Sequence, residues 1–140
     1  MTAIDAAFIA AYQTTDYIVF DDHQQVVLRI DESNPMADDL LRRHGAVQAT
    51  MITAWNPESA PLSAAENDQR QAVLWQWIAD HHLFALAAEG RDPSGQWPAE
   101  ESCLIFDIAP QTVAELGRRF SQNAIVSISL GRAPSLILLR

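Results

Sequence analysis

Lysine is missing altogether. All nine basic residues of this 140-residue chain are arginine, and eighteen acids give a formal net charge of −9. The acid excess argues against a general nucleic-acid binder, which needs a basic face to gain from counterion release. It argues equally against docking on anionic lipid. Cysteine is nearly absent too: Cys103 alone excludes an internal disulfide. Lying in an apolar run, it reads as a buried inert thiol rather than a nucleophile. The five glycines never cluster, so there is no phosphate loop. The four histidines, His23, His44, His81 and His82, form no HExxH, and Cys103 has no cysteine partner, so no metal site and no cofactor is expected. GxSxG is absent, which removes a hydrolase elbow. No apolar run approaches the ~20 residues that span a bilayer. The opening MTAIDAAFIAAY has no basic leader and carries Asp5, so a secretory signal is not expected either. A cytoplasmic protein is the default.

What is present suits one folded unit. A hydrophobic fraction of 49% is normal for a globular chain, and the length is that of a single domain, 1–140. Charge is uneven. Residues 1–70 hold eleven acids against four arginines, −7, and residues 71–140 hold seven against five, −2. The acidic half is either a solvated surface or a face for a basic protein partner.

Helical spacing of Ile4, Phe8, Ala11 and Tyr12 predicts a short amphipathic helix over residues 2–13. DYIVF and QVVLRI around DDHQ read as a β-hairpin. After Asn34-Pro35, MADDLLRRHG is a helix closed by Gly45. VQATMITAW is a strand with Val47, Ala49, Met51 and Thr53 on one face and Thr50, Ile52 and Ala54 on the other, so both sides are expected to be covered. Ser63–Glu66 is a capping box opening the longest helix, to about His82, with Val73, Leu74, Trp77 and Ile78 inward. FALAAEG and SCLIFDI pair around a turn-rich loop. PQTVAELGRRF is a helix with Val113, Leu116 and Phe120 inward, and AIVSISLG with PSLILLR closes the chain as a hairpin. The order αββαβαββαββ predicts an α+β fold with a mostly antiparallel sheet and helices mainly on one face. The final SLILLR is an edge-strand candidate, which leaves a homodimer open.

Three junctions carry candidate site residues. In TAWNPESAPLSAAEN, Asn67 falls at the start of the inward helix stripe, where an amide needs a partner. Asn56 and Asn67 either tie their own loop or line a pocket at the sheet end. Arg70, one turn on, suits an anion there or an ion pair with Glu66. In GRDPSGQWPAEES, Trp97 precedes Glu100 and Glu101. Strand alternation allows only one of these glutamates to face inward, where it becomes an acid/base candidate or an arginine's partner. In FSQNA, Gln122 and Asn123 are turn residues or further amides for the same pocket.

TAWNP, then SAAEN with an arginine three residues on, then GRDPSGQWPAEES and RRFSQNAIV, together with the earlier TTDYIVF, resemble the bacterial family called domain of unknown function 3293. The resemblance runs from about Tyr12 to Val126. It implies a small stand-alone bacterial cytoplasmic domain, and that Asn56, Asn67, Trp97, Glu101, Gln122 and Asn123 belong to the family pattern. It brings no activity, cofactor or catalytic residue, and the missing lysine touches nothing functional. Three readings follow: a non-catalytic binding module for a small polar or anionic ligand or a peptide, an acidic protein-interaction module, and an enzyme using Glu101 or Glu100 beside Arg70. The first is preferred, because amides, an arginine and a tryptophan suit recognition better than bond-breaking.

Overall fold

A computed structural model describes residues 3–140. The chain runs α1 (Ala6–Thr14), β1 (Asp16–Asp21), β2 (Gln24–Leu28), α2 (Pro35–Arg43), β3 (Gln48–Ile52), a 3₁₀ turn (Pro57–Ser59), α3 (Ala64–Asp80), β4 (Ala85–Arg91), β5 (Glu100–Phe106), α4 (Pro110–Arg119), β6 (Ala124–Ser129) and β7 (Ser135–Leu138). This is the expected α+β order. The strands form one seven-stranded sheet, β2-β1-β4-β5-β3-β6-β7, with every neighbouring pair antiparallel.

Local chemistry sets most boundaries. The two-residue turn of the first hairpin puts Asp22 at φ 51, a conformation Asp tolerates. Asn34 caps α2 by accepting from Met36 N at 3.0 Å, and Pro35 takes the first helical position. Ser63 and Glu66 form the expected capping box on α3. Gly117 lets α4 pack closely: a Cβ there would stand 2.5 Å from Leu139 Cδ1 and 3.4 Å from Ile125 Cγ2, so the Leu139 side chain would have to shift.

Alternation in the strands loads both faces of the sheet. Val19, Ala49, Met51, Leu104 and Val126 face one side, where α2 packs Leu40 and Leu41. Those two leucines are fully buried, which stabilises by roughly 1.5–3 kcal/mol each. Ile52, Cys103, Ile105 and Ile125 face the other side, against Leu74 and Ile78 of α3 and Val113 and Leu116 of α4. Both sides of β3 are therefore covered. β7 is an edge strand, and Leu138 on it is exposed.

Three details differ from expectation. The expected helix start at residue 2 lies outside the described residues, α1 begins at Ala6, and it buries none of its side chains. Val73 is exposed, because Asn67 and Gln71 share the inward stripe of α3 with Leu74 and Ile78. Val47 is exposed as well, since β3 pairs only from Gln48 onward.

Candidate functional site

The connection from β3 to α3 is built around Asn56. Its backbone is left-handed, φ 45 and ψ 69, a region open to Asn. Its N–H donates to Asn67 Oδ1 at 2.9 Å, and Asn67 Nδ2 donates back to Asn56 Oδ1 at 2.8 Å. Leu62 N also donates to Asn56 Oδ1, at 3.0 Å. Asn67 is 2% exposed, and its amide is used up on its own loop. It is a tie. Asn56 Nδ2 is left to point elsewhere, and it donates to Glu100 Oε1 at 2.8 Å.

Gln71, one turn further along α3, continues the tie. Its Oε1 accepts from Ala54 N at 3.0 Å, and its Nε2 reaches Cys103 Sγ at 3.4 Å. Sequence reasoning missed this residue, although it lies on the same stripe as Asn67. Gln122 Nε2 donates to Trp55 O at 3.0 Å, and Asn123 Nδ2 donates to Tyr12 Oη at 2.8 Å. Tyr17 Oη in turn donates to Tyr12 O at 2.7 Å, so the end of α1 is held to β1 and to the start of β6.

These residues surround a cavity of about 660 Å³. Its polar wall includes Asn56, Asn67, Glu100, Gln122 and Asn123, and its apolar wall includes Phe8, Trp55, Leu62, Trp97 and Leu136. Trp97 stands half-exposed in the loop after the Asp92 turn, where the Asp92 carboxylate accepts from Ser94 N and Gln96 N. Two buried polar atoms in lining residues, Trp55 Nε1 and Asn123 Oδ1, have no hydrogen-bond partner among the described residues. Five of the seven site candidates, Asn56, Asn67, Trp97, Gln122 and Asn123, thus come together.

Arg70 and Glu101 do not line the cavity. Arg70 Nε donates to Ala54 O at 2.7 Å, its second nitrogen donates to Phe120 O at 2.5 Å, and the guanidinium lies 5.8 Å from the centre of the Phe120 ring. It staples two loops, and it makes no ion pair with Glu66, whose carboxylate serves the capping box. Glu101 is exposed, because strand alternation sends it to the side opposite Glu100. Glu100 is the inward glutamate. Burial raises its carboxyl above the ordinary range, against the opposing pull of the Asn56 amide. Burial also pushes the Tyr17 phenol well up, with a smaller contribution from the Glu100 charge.

A second, open hollow lies elsewhere, lined by His44, His82, Phe84, Phe106 and Asp107. There the His44 ring packs 5.0 Å from Phe84 and 5.1 Å from Phe106. His44 Nε2 lies 3.1 Å from Asp21 Oδ2, which also accepts from Arg43. Among the described residues, no group of three or more His, Cys, Asp or Glu side chains is placed to hold a metal ion, and no helix is long and apolar enough to cross a membrane.

No curated protein and no solved structure gives a significant match to the chain. One family model matches, described as a protein of unknown function (DUF3293), over residues 52–125. That stretch contains the tied loop, Trp97, Glu100, Gln122 and Asn123. It is more than half of the 140 residues, and the chain belongs to the DUF3293 family.

Proposed function

We propose that this chain is a non-catalytic binding module that takes a small ligand with an apolar body and a polar end into the cavity beside Glu100. A small bacterial cytoplasmic binding protein is the setting we infer, on the strength of the sequence resemblance. The observation that carries the reading is the cavity itself. At about 660 Å³ it has the size of a ligand pocket, and its hydrogen-bonding groups and aromatic walls fit recognition. An anion is a poor occupant. Among the described residues no arginine or histidine lines the cavity, and Arg70, the cation expected there from the sequence, is engaged by two carbonyls. The acid/base reading loses its partner for the same reason, since Arg70 and Glu101 do not meet there.

The test is a titration with N-phenyl-1-naphthylamine, a neutral apolar fluorophore. The expected result is a saturable fluorescence rise with one site per chain. Gly90→Val should weaken it, because Gly90 lines the cavity between Tyr17 and Glu100 and a Cβ there meets Thr15 Cγ2 at an ordinary 3.6 Å, so the strand accepts the change while the cavity narrows. A non-saturating signal, or equal binding by the variant, overturns the reading.

A further inference from the structure

The cavity has an unusual electrical character. Among the described residues, its lining holds one carboxyl, Glu100, and no positively charged side chain. Four arginines are occupied elsewhere: Arg70 by Ala54 O and Phe120 O, Arg91 by Glu89, Arg118 by Leu139 O, and Arg140 by Glu58. Among the described residues, Glu100 Oε1 has Asn56 Nδ2 as its partner and Oε2 has none. A half-buried carboxyl is costly to ionise without a counter-charge, and here the fold supplies only a neutral amide.

Five aromatic residues, Phe8, Tyr12, Tyr17, Trp55 and Trp97, line the same cavity as this carboxyl. The register explains part of the grouping. Tyr17 pairs with Gly90, and Gly90 pairs with Glu100. Directly opposed residues on antiparallel strands share a face, so the tyrosine ring and the carboxyl stand on one row, two strand spacings or about 10 Å apart. Gly90 between them contributes no side chain. The Tyr17 phenol stays neutral and donates its proton to Tyr12 O, which leaves its ring as a negative π face. Aromatic faces together with a carboxylate attract a weakly hydrated cation, and a protein of net charge −9 draws cations toward it.

We infer that the cavity selects an organic ammonium ion, with the charged head between the Tyr17 ring and the Glu100 carboxyl and the apolar body against Phe8, Trp55 and Trp97. This rests on the reading of the cavity as a ligand site and narrows it to one class of ligand. The cation supplies the counter-charge that Glu100 lacks.

The test uses two compounds of the same shape, benzyltrimethylammonium and its uncharged carbon analogue neopentylbenzene, each displacing N-phenyl-1-naphthylamine. Hydrophobicity alone favours the neutral compound. The inference expects the cation to displace at roughly tenfold lower concentration. Glu100→Gln should bring the ratio to one or below, and the exposed neighbour Glu101→Gln should leave it unchanged. Tyr17→Leu, which removes the ring placed against the charged head, should reduce the ratio several-fold and serves if Glu100→Gln does not fold. Equal or better displacement by neopentylbenzene overturns the inference while the binding reading stands, and so does a ratio untouched by Glu100→Gln and Tyr17→Leu. A naphthylamine that never binds removes the binding reading itself, and the inference with it.

Discussion

Asp21 and Glu100 are both carboxyls drawn out of water, and their surroundings are opposite. Asp21 closes the first hairpin, in a residue 6% exposed. Its Oδ2 accepts from Arg43 Nε at 3.1 Å and from the terminal nitrogen at 2.9 Å, with His44 Nε2 at 3.1 Å. Burial alone would raise that carboxyl, but the hydrogen bonds and charges of Arg43 and His44 outweigh it and hold the group below the ordinary range. Glu100 receives one neutral amide and stays above its ordinary range. The first is a finished internal tie joining β1 to α2. The second is missing its counter-charge, and a cavity opens beside it. A buried carboxyl matched by the fold's own cations is structure; one left unmatched beside a ligand-sized space is a place for a partner from outside.

The sharpest way to break the contrast is Asp21→Ala. It leaves Arg43 and His44 without their acceptor. Arg43 is partly exposed and can rehydrate, so the expected loss is about 2 kcal/mol rather than the larger cost of a fully buried pair. Urea unfolding measures it, and a loss below about 0.5 kcal/mol, the level of ordinary surface changes, would show that Asp21 is no tie. Asn67→Ala comes next. It strips the Asn56 N–H of its acceptor in a buried setting and should cost about 1–2 kcal/mol. It should also weaken naphthylamine binding, because Asn56 then no longer holds its place against Glu100.

Glu100→Gln should behave in the opposite sense to Asp21→Ala. Removing an unmatched acid is expected to leave the ligand-free protein within about 1 kcal/mol of the parent, on the stabilising side. A large loss would mean that Glu100 is as structural as Asp21. The smallest effect is the pH dependence, and its signs differ at the two ends. Asp21 is held low, so its contribution is complete above the ordinary aspartate range and is lost as pH falls below it. Glu100 is held high, so folding loses stability as pH rises from the ordinary glutamate value to the raised one. Unfolding free energies across mildly acidic pH should therefore fall less steeply with rising pH in Glu100→Gln than in the parent. Identical slopes would deny the raised state of Glu100.

Much of the fold could be read from the sequence because its determinants are local. The capping box at Ser63 and Glu66, Pro110 at the start of α4 and the three hairpins each lie within a few residues of one another. The polar junction residues Asn56, Asn67, Gln122 and Asn123 stood out because amides at element ends need partners. What escaped depends on register or long range. Choosing Glu100 over Glu101 requires knowing which residue of β5 pairs with Gly90. The anchoring of α1 joins Tyr12 to Asn123 across 111 residues. Arg70 looked like an anion ligand because its two carbonyl partners, Ala54 O and Phe120 O, lie 16 and 50 residues away. The link from Asp21 to Arg43 and His44 was equally invisible, since nothing in the hairpin or in α2 announces the other.

The most direct measurement uses the chain's own tryptophans. Trp55 and Trp97 line the cavity, whereas Trp75 and Trp77 pack against the core cluster of α3 and α4. In a two-dimensional proton–nitrogen spectrum, benzyltrimethylammonium should move the indole N–H signals of Trp55 and Trp97 saturably and leave those of Trp75 and Trp77 in place. The account predicts that Glu100→Gln weakens this response by about tenfold. Signals of Trp55 and Trp97 that stay fixed, or that move equally in Glu100→Gln, would contradict it.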